Sequence, residues 1–126
     1  MTQEIDENSR LEMAARRSVV PLLRVADAET SAEWYAQLGF EIEWRHRFEP
    51  GLPLFVAISH DGARIFLSEH TGDATPDTLL YLYVDDVDAV AAGFGVNPVD
   101  APYGMREIEL RDPDGNRLRL GTRLPG

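Results

Sequence analysis

The feature that most constrains this chain is an internal duplication. Residues 61–67 (Asp-Gly-Ala-Arg-Ile-Phe-Leu) return as residues 114–120 (Asp-Gly-Asn-Arg-Leu-Arg-Leu), and each copy is a glycine-containing turn that runs into an alternating strand. Upstream, residues 22–27 and 81–86 each lead into a short amphipathic helical pattern. Because a unit of one strand, one helix and a hairpin cannot bury its sheet alone, the two copies are predicted to pair and leave a cleft between them.

Local signals place the elements of each copy. Asp27 is predicted to cap a helix that runs through Leu38 and stops at Gly39, and Asp86 to cap a second helix that ends at Gly93 or Gly95. The pattern predicts an α+β fold in which two βαβββ modules, at about 19–70 and 79–122, form a curved mixed sheet around a cleft. Residues 19–126 would be a single domain, and residues 1–18 an N-terminal arm.

Composition excludes several classes of chemistry. The 126 residues include no Cys and no Lys, which rules out disulfides, thiolate ligands and Schiff-base catalysis. The acidic N-terminal residues do not form a signal peptide and no long apolar run spans a membrane, so a cytoplasmic location without a membrane partner is expected.

The net charge of −10 argues against a nucleic-acid partner, because the arginines are scattered among acids and form no basic stripe. Two interpretations of the acidity stay open. It would attract a cationic ligand, or it would only keep a small protein dispersed.

Three motifs in this order and spacing carry a family resemblance. They are Leu23-Arg24-Val25-x-Asp27, Trp34-Tyr35-x-x-Leu38-Gly39-Phe40 and Asp112-Pro113-Asp114-Gly115-Asn116-x-Leu118-x-Leu120. Together they resemble the glyoxalase/bleomycin-resistance/extradiol-dioxygenase superfamily, which has the vicinal oxygen chelate fold, over about residues 19–122. Residues 46–50, 67–76 and 104–107 look like its bleomycin-resistance-protein-like branch. The resemblance implies a homodimer with two shared clefts.

Metal-using members of this superfamily hold an ion with four His, Gln or Glu side chains in the cleft. The resemblance places these positions at Val20, Phe66, Leu79 and Arg119, none of which can donate to a divalent cation. We therefore expect no cofactor and no metal site. A relocated site among His46, His60, His70, Glu69 and Glu107 is disfavoured because spacing alone makes no pair of them converge.

Aromatic residues dominate the remaining candidates. Strand periodicity predicts that Ile42, Trp44, His46 and Phe48 share one strand face, with Glu43, Arg45 and Arg47 on the other. Glu107 and Glu109 would also share one face, and Arg119 would need one of them as its counter-ion. The candidate ligand-binding residues are Trp44, His46, Phe48, Phe66, Tyr81, Tyr83, Tyr103, Glu107 and Arg119.

Such a groove suits a flat, partly cationic molecule through stacking and cation–π attraction. The function predicted is therefore metal-independent binding and sequestration of a cationic or aromatic antibiotic of the bleomycin type, in a cleft at a homodimer interface, without catalytic residues. The alternative is a glyoxalase-like lyase, isomerase or dioxygenase with a displaced metal or a metal-free acid/base pair such as His46 with Glu107. Many of these aromatics could also be sheet core.

Overall fold

The computed structural model describes residues 18–47 and 49–126. The predicted N-terminal arm, apart from Ser18, and the candidate ligand residue Phe48 lie outside the described residues. The chain divides into two compact units, Met1–Pro76 and Asp77–Gly126, which we call the first and the second module.

The first module is a four-stranded sheet with one helix. Its elements are β1 (Leu22–Arg24), α1 (Ala28–Ala36), β2 (Glu41–His46), β3 (Phe55–His60) and β4 (Ala63–Ser68). The strand order is β1-β4-β3-β2, with β1 parallel to β4 and the other pairs antiparallel. β1, which follows Pro21, lies at an edge of the sheet, where a proline is tolerated.

Helix α1 begins where the sequence predicts. The Asp27 side chain accepts a hydrogen bond from the Thr30 backbone N–H at 3.1 Å. The helix ends at Ala36, earlier than predicted, and the chain then turns through Gly39, whose φ is +94°.

One face of the first sheet is covered by α1 and forms the module's core. Tyr35 of the helix is fully buried, as are alternate residues of the strands. The buried strand residues on this face are Leu23, Val56, Ile58, Ile65 and Leu67. Because strand side chains alternate, Arg64, Phe66 and Ser68 of β4 lie on the opposite face.

A β-bulge in β2 overturns the simple alternation predicted for this strand. Ile42 pairs with Ile58 of β3, but Trp44, two residues later, pairs with Ala57, only one residue away from Ile58. The β2–β3 register therefore shifts between Ile42 and Trp44. Ile42 and Trp44 therefore lie on opposite faces of the sheet, and the prediction that they share one was wrong. The bulge also places Glu43 and Arg45 on different faces of the sheet. Glu43 forms an ion pair with Arg64 of β4, and Arg45 forms one with Glu29 of α1.

The second module repeats the architecture. Its elements are β5 (Leu79–Tyr83), α2 (Val87–Phe94), β6 (Val99–Asp100), β7 (Met105–Arg111) and β8 (Arg117–Arg123). The order β5-β8-β7-β6 matches that of the first sheet, with β5 parallel to β8. The prediction of an α+β fold with two βαβββ modules is confirmed.

Capping and burial in the second module follow the predicted pattern. Asp86 accepts from the Ala89 N–H at 3.1 Å, and Gly95, with φ of +68°, ends the helix. Ile108 and Leu110 are buried, and because strand side chains alternate they point away from the face that Glu107 and Glu109 share. Within the described residues, no helix is long and apolar enough to cross a membrane.

The repeated glycine turn of the second module is tied into its core by polar side chains. Asn116 is fully buried; its Oδ1 accepts from the Thr78 N–H at 3.0 Å and its Nδ2 donates to Asp112 Oδ2 at 3.0 Å. Asp112 Oδ1 also accepts from the backbone N–H of Asp114 and of Asn116, at 2.9 Å each. These contacts give the family motif a structural role at the start of β5.

Candidate functional site

Three aromatic rings line the first sheet on the face opposite α1, and we call them the aromatic wall. The Trp44 and Phe55 rings are nearly parallel, 9° between planes, with centroids 5.8 Å apart. Phe66 lies 5.7 Å from Trp44 and 5.2 Å from Phe55. Of these rings, Trp44 and Phe66 were predicted from the sequence and Phe55 was not.

A pocket of about 320 Å³ opens beside the aromatic wall. It is lined by Trp44, His46, Phe55, His70 and Asp73. The structure thus brings together two histidines that sequence spacing alone did not place near each other. His70 and Asp73 follow β4 in a polar segment, where no periodic pattern indicated which way their side chains would face.

Other polar candidates of the first module have structural partners. The Glu69 carboxylate accepts from the Ala28 N–H at 2.8 Å and from the Leu54 N–H at 3.0 Å, so it joins the start of α1 to the residue before β3. The His60 ring lies against Gly39 and near Phe40. Neither residue belongs to the pocket.

The second module carries a tyrosine face, formed by Tyr81, Tyr83, Tyr103 and Glu107. The Tyr81 hydroxyl donates to Glu107 Oε2 at 2.8 Å, and the Tyr103 hydroxyl donates to Glu107 Oε1 at 2.6 Å. The Tyr83 ring lies 5.2 Å from that of Tyr81 and is 77% exposed. One carboxylate is therefore held between two phenols on an open, aromatic surface.

The electrostatics of this cluster favour an ionised carboxylate. Hydrogen bonds from Tyr103 and then Tyr81 lower the pKa of Glu107 below its ordinary value. Partial burial, with the hydrogen bond to Glu107 second, raises the pKa of Tyr81 to about 12. At neutral pH the tyrosine face therefore presents a negative charge flanked by neutral hydroxyls.

Arg119 lies on the same face of the second sheet and finds the predicted internal counter-ion. Its Nη2 donates to Glu109 Oε1 at 3.1 Å, and Arg117 approaches the other oxygen of Glu109 at 4.0 Å. The carboxylate of Glu109 is the main cause of the raised pKa of Arg119. A depression of about 210 Å³ beside this pair is lined by Asn97, Val99, Glu107, Ile108, Glu109 and Arg119.

The four chelate positions implied by the resemblance do not fit a metal ion. Val20 and Leu79 have hydrocarbon side chains, Phe66 belongs to the aromatic wall, and Arg119 is a cation paired with Glu109. Among the residues that the structure describes, no group of three or more His, Asp or Glu side chains could hold an ion. No step of chelate chemistry can be derived from these positions.

A family model described as "Glyoxalase superfamily protein" matches residues 5–126. The chain belongs to the glyoxalase superfamily. Among curated proteins, no sequence match is found. Membership of the superfamily does not determine the function, which depends on what the sites just described can bind.

Several solved structures share the fold of this chain. A glyoxalase/bleomycin resistance protein/dioxygenase superfamily member from Sphaerobacter thermophilus is 22% identical, with a TM-score of 0.69 and coverage of 86% of this chain and 98% of its own. The antibiotic binding protein TnmS3 from a Streptomyces species is 24% identical, with a TM-score of 0.69 and coverage of 88% and 98%. A bleomycin-binding protein complexed with bleomycin is 21% identical, with a TM-score of 0.65 and coverage of 86% and 99%.

Proposed function

We propose that this protein binds a cationic, partly aromatic antibiotic of the bleomycin type and sequesters it without a metal and without altering it. The observation that carries the proposal is the Glu107 carboxylate, held ionised between the hydroxyls of Tyr81 and Tyr103. A fixed negative charge among exposed aromatic rings provides an ion pair, stacking and cation–π contacts to the same ligand. The net charge of −10 adds a long-range attraction for a cation.

The proposal keeps every candidate ligand-binding residue of the sequence analysis. The ligand's rings would contact the aromatic candidates of the first module, which are Trp44, His46, Phe48 and Phe66. The ligand's rings and charges would contact the candidates of the second module, which are Tyr81, Tyr83, Tyr103, Glu107 and Arg119. Hydrocarbon and guanidinium groups at Val20, Leu79 and Arg119 support binding over chelate catalysis. Similar solved structures include one with bleomycin and one described as antibiotic binding, which supports the ligand class.

Calorimetric titration with metal-free and with copper-loaded bleomycin tests the proposal. We expect saturable heat for the wild type and binding weakened about tenfold or more for Glu107→Gln, because a charge-assisted hydrogen bond is lost. Glu33→Gln makes the same change of charge at an exposed position of α1 and should leave the affinity for bleomycin unchanged. No heat and no thermal shift at millimolar ligand would reject this ligand class.

The proposal includes a homodimer with the ligand cleft at its interface, in the cytoplasm. Large apolar side chains of the second module are exposed, among them Tyr83 at 77% and Tyr103 at 63%, which supports an additional contact surface. Sedimentation equilibrium should give twice the chain mass with and without ligand. Mass spectrometry of ligand released after long incubation should show an unchanged molecule, and a new product would instead indicate an enzyme.

A further inference from the structure

The pocket beside the aromatic wall has an apolar side and a polar side. Trp44 and Phe55 supply two nearly parallel rings, and Phe66 packs against both. Three strands hold these rings, because Trp44 lies on β2, Phe55 on β3 and Phe66 on β4. A wall fixed in this way loses little side-chain entropy when a flat ring stacks on it.

The polar side is anchored through Ser68. Its fully buried hydroxyl donates to Asp73 Oδ2 at 2.5 Å and accepts from the His70 backbone N–H at 3.1 Å. The Asp73 N–H donates in turn to the His70 carbonyl at 3.2 Å. This closed set of bonds fixes the segment that carries both pocket-lining side chains.

Two polar groups of the pocket remain unused within the described chain. Asp73 Oδ1 makes no hydrogen bond to a described residue, and the same holds for the His70 imidazole. A carboxylate oxygen only accepts, whereas an imidazole can donate and accept. A guest would satisfy both with an N–H donor and an adjacent ring nitrogen.

We infer that this pocket binds a planar heteroaromatic ring that carries an amino group next to a ring nitrogen. The ring would stack against the aromatic wall, and its amino group would donate to Asp73. A volume of about 320 Å³ suits one such ring and not a whole glycopeptide-sized ligand. The inference rests on the proposed function in that this ring would be one part of the larger ligand, but the pocket can be tested with a small fragment alone.

Proton–nitrogen correlation NMR of the full chain provides the test, because the protein has two tryptophans. Trp34→Phe leaves one indole N–H signal, that of Trp44, as a reporter. We expect 2-aminopyrimidine to shift this signal with millimolar affinity, and unsubstituted pyrimidine to bind about threefold or more weakly because it lacks the donor. His70→Ala should weaken 2-aminopyrimidine about threefold or more, since the amino ring loses one polar partner.

Asp73→Asn isolates the role of the carboxylate. The asparagine oxygen can still accept from Ser68, which preserves the anchor, so we expect the preference for 2-aminopyrimidine over pyrimidine to disappear while the spectrum stays that of a folded protein. Glu33→Gln makes the same change of charge at an exposed position of α1 and should leave the fragment shift unchanged. An absent shift, or equal shifts by both fragments in the wild type, would overturn the inference. Bleomycin binding without a fragment shift would reject the pocket alone, and a fragment shift without bleomycin binding would support the pocket and reject the antibiotic.

Discussion

Tyr81 lies across Gly121. A Cβ atom at position 121 would be 2.0 Å from the Tyr81 hydroxyl oxygen and 2.9 Å from Cζ of its ring. Gly121 is the β8 residue that pairs with Glu107 of β7, so the tyrosine of β5 reaches across one strand to the carboxylate on the next. The absence of a side chain at Gly121 therefore makes the bond between Tyr81 and Glu107 possible.

Gly121→Ala should displace Tyr81 and break its bond to Glu107. Overpacking of this kind costs about 1–3 kcal/mol of unfolding free energy, and the ligand should bind more weakly as well. Urea unfolding and calorimetry would measure the two effects. In a Tyr81→Ala background the same glycine substitution should cost little, because the clashing ring is gone.

Gly93→Ala is the matched control. This glycine lies in α2 with open space around its Cα, so a methyl group should raise stability by about 0.5–1 kcal/mol through the helix preference of alanine. If Gly121→Ala were as harmless as Gly93→Ala, the position of the Tyr81 ring described here would be wrong.

The Tyr81 hydroxyl should ionise at a higher pH than an ordinary tyrosine does. Its pKa is raised from 10.0 to about 12, so the folded chain holds this proton more tightly than the unfolded chain does. The resulting contribution to stability is complete below pH 10 and is lost as pH rises towards 12. The difference in tyrosinate absorbance between wild type and Tyr81→Phe would report this titration. Glu107→Gln should lower the midpoint, though not fully to 10.0, because partial burial is the larger cause. An unchanged midpoint in that variant would contradict the assignment.

Glu69→Gln should destabilise the first module. Each carboxylate oxygen accepts one backbone N–H, from Ala28 and from Leu54, and an amide group can replace only one of them. We expect a loss of about 1–2 kcal/mol in unfolding free energy. Glu33→Gln, an exposed change on the same helix, should cost almost nothing. Equal effects of the two variants would show that the double contact of Glu69 is unimportant.

The sequence predicted the two-module fold because its signals are local or repeated. Asp27 and Asp86 cap the two helices as expected, and the alternating strand that follows Gly62 recurs after Gly115. Strand β6 was not identified, since two residues are too few to show a period. The β2 bulge was missed because no residue in the strand marks the extra position.

The candidate site was less predictable because its geometry depends on contacts between elements. The partner of Arg119 could be narrowed to Glu107 or Glu109 from strand alternation, but the choice of Glu109 follows from the β7–β8 register. Pocket residues His70 and Asp73 lie in an irregular segment that is held by hydrogen bonds to the buried Ser68. Such a segment shows no periodic pattern in the sequence, so the direction of its side chains could not be predicted.

Asn116→Ala should be the most destabilising of the polar substitutions considered. Asn116 is fully buried, and its side chain joins the Thr78 N–H to the Asp112 carboxylate, both of which would lose a partner. Unsatisfied buried groups and a small cavity together should cost about 2–4 kcal/mol, read from urea unfolding with an unchanged m-value. Asn116→Asp keeps the shape and the acceptor for Thr78 but sets a second carboxylate oxygen against Asp112 Oδ2 in place of the Nδ2 donor, so this variant should also be destabilised. Wild-type stability in Asn116→Asp would mean that the Asp112 carboxylate does not face position 116 as its hydrogen-bond partner.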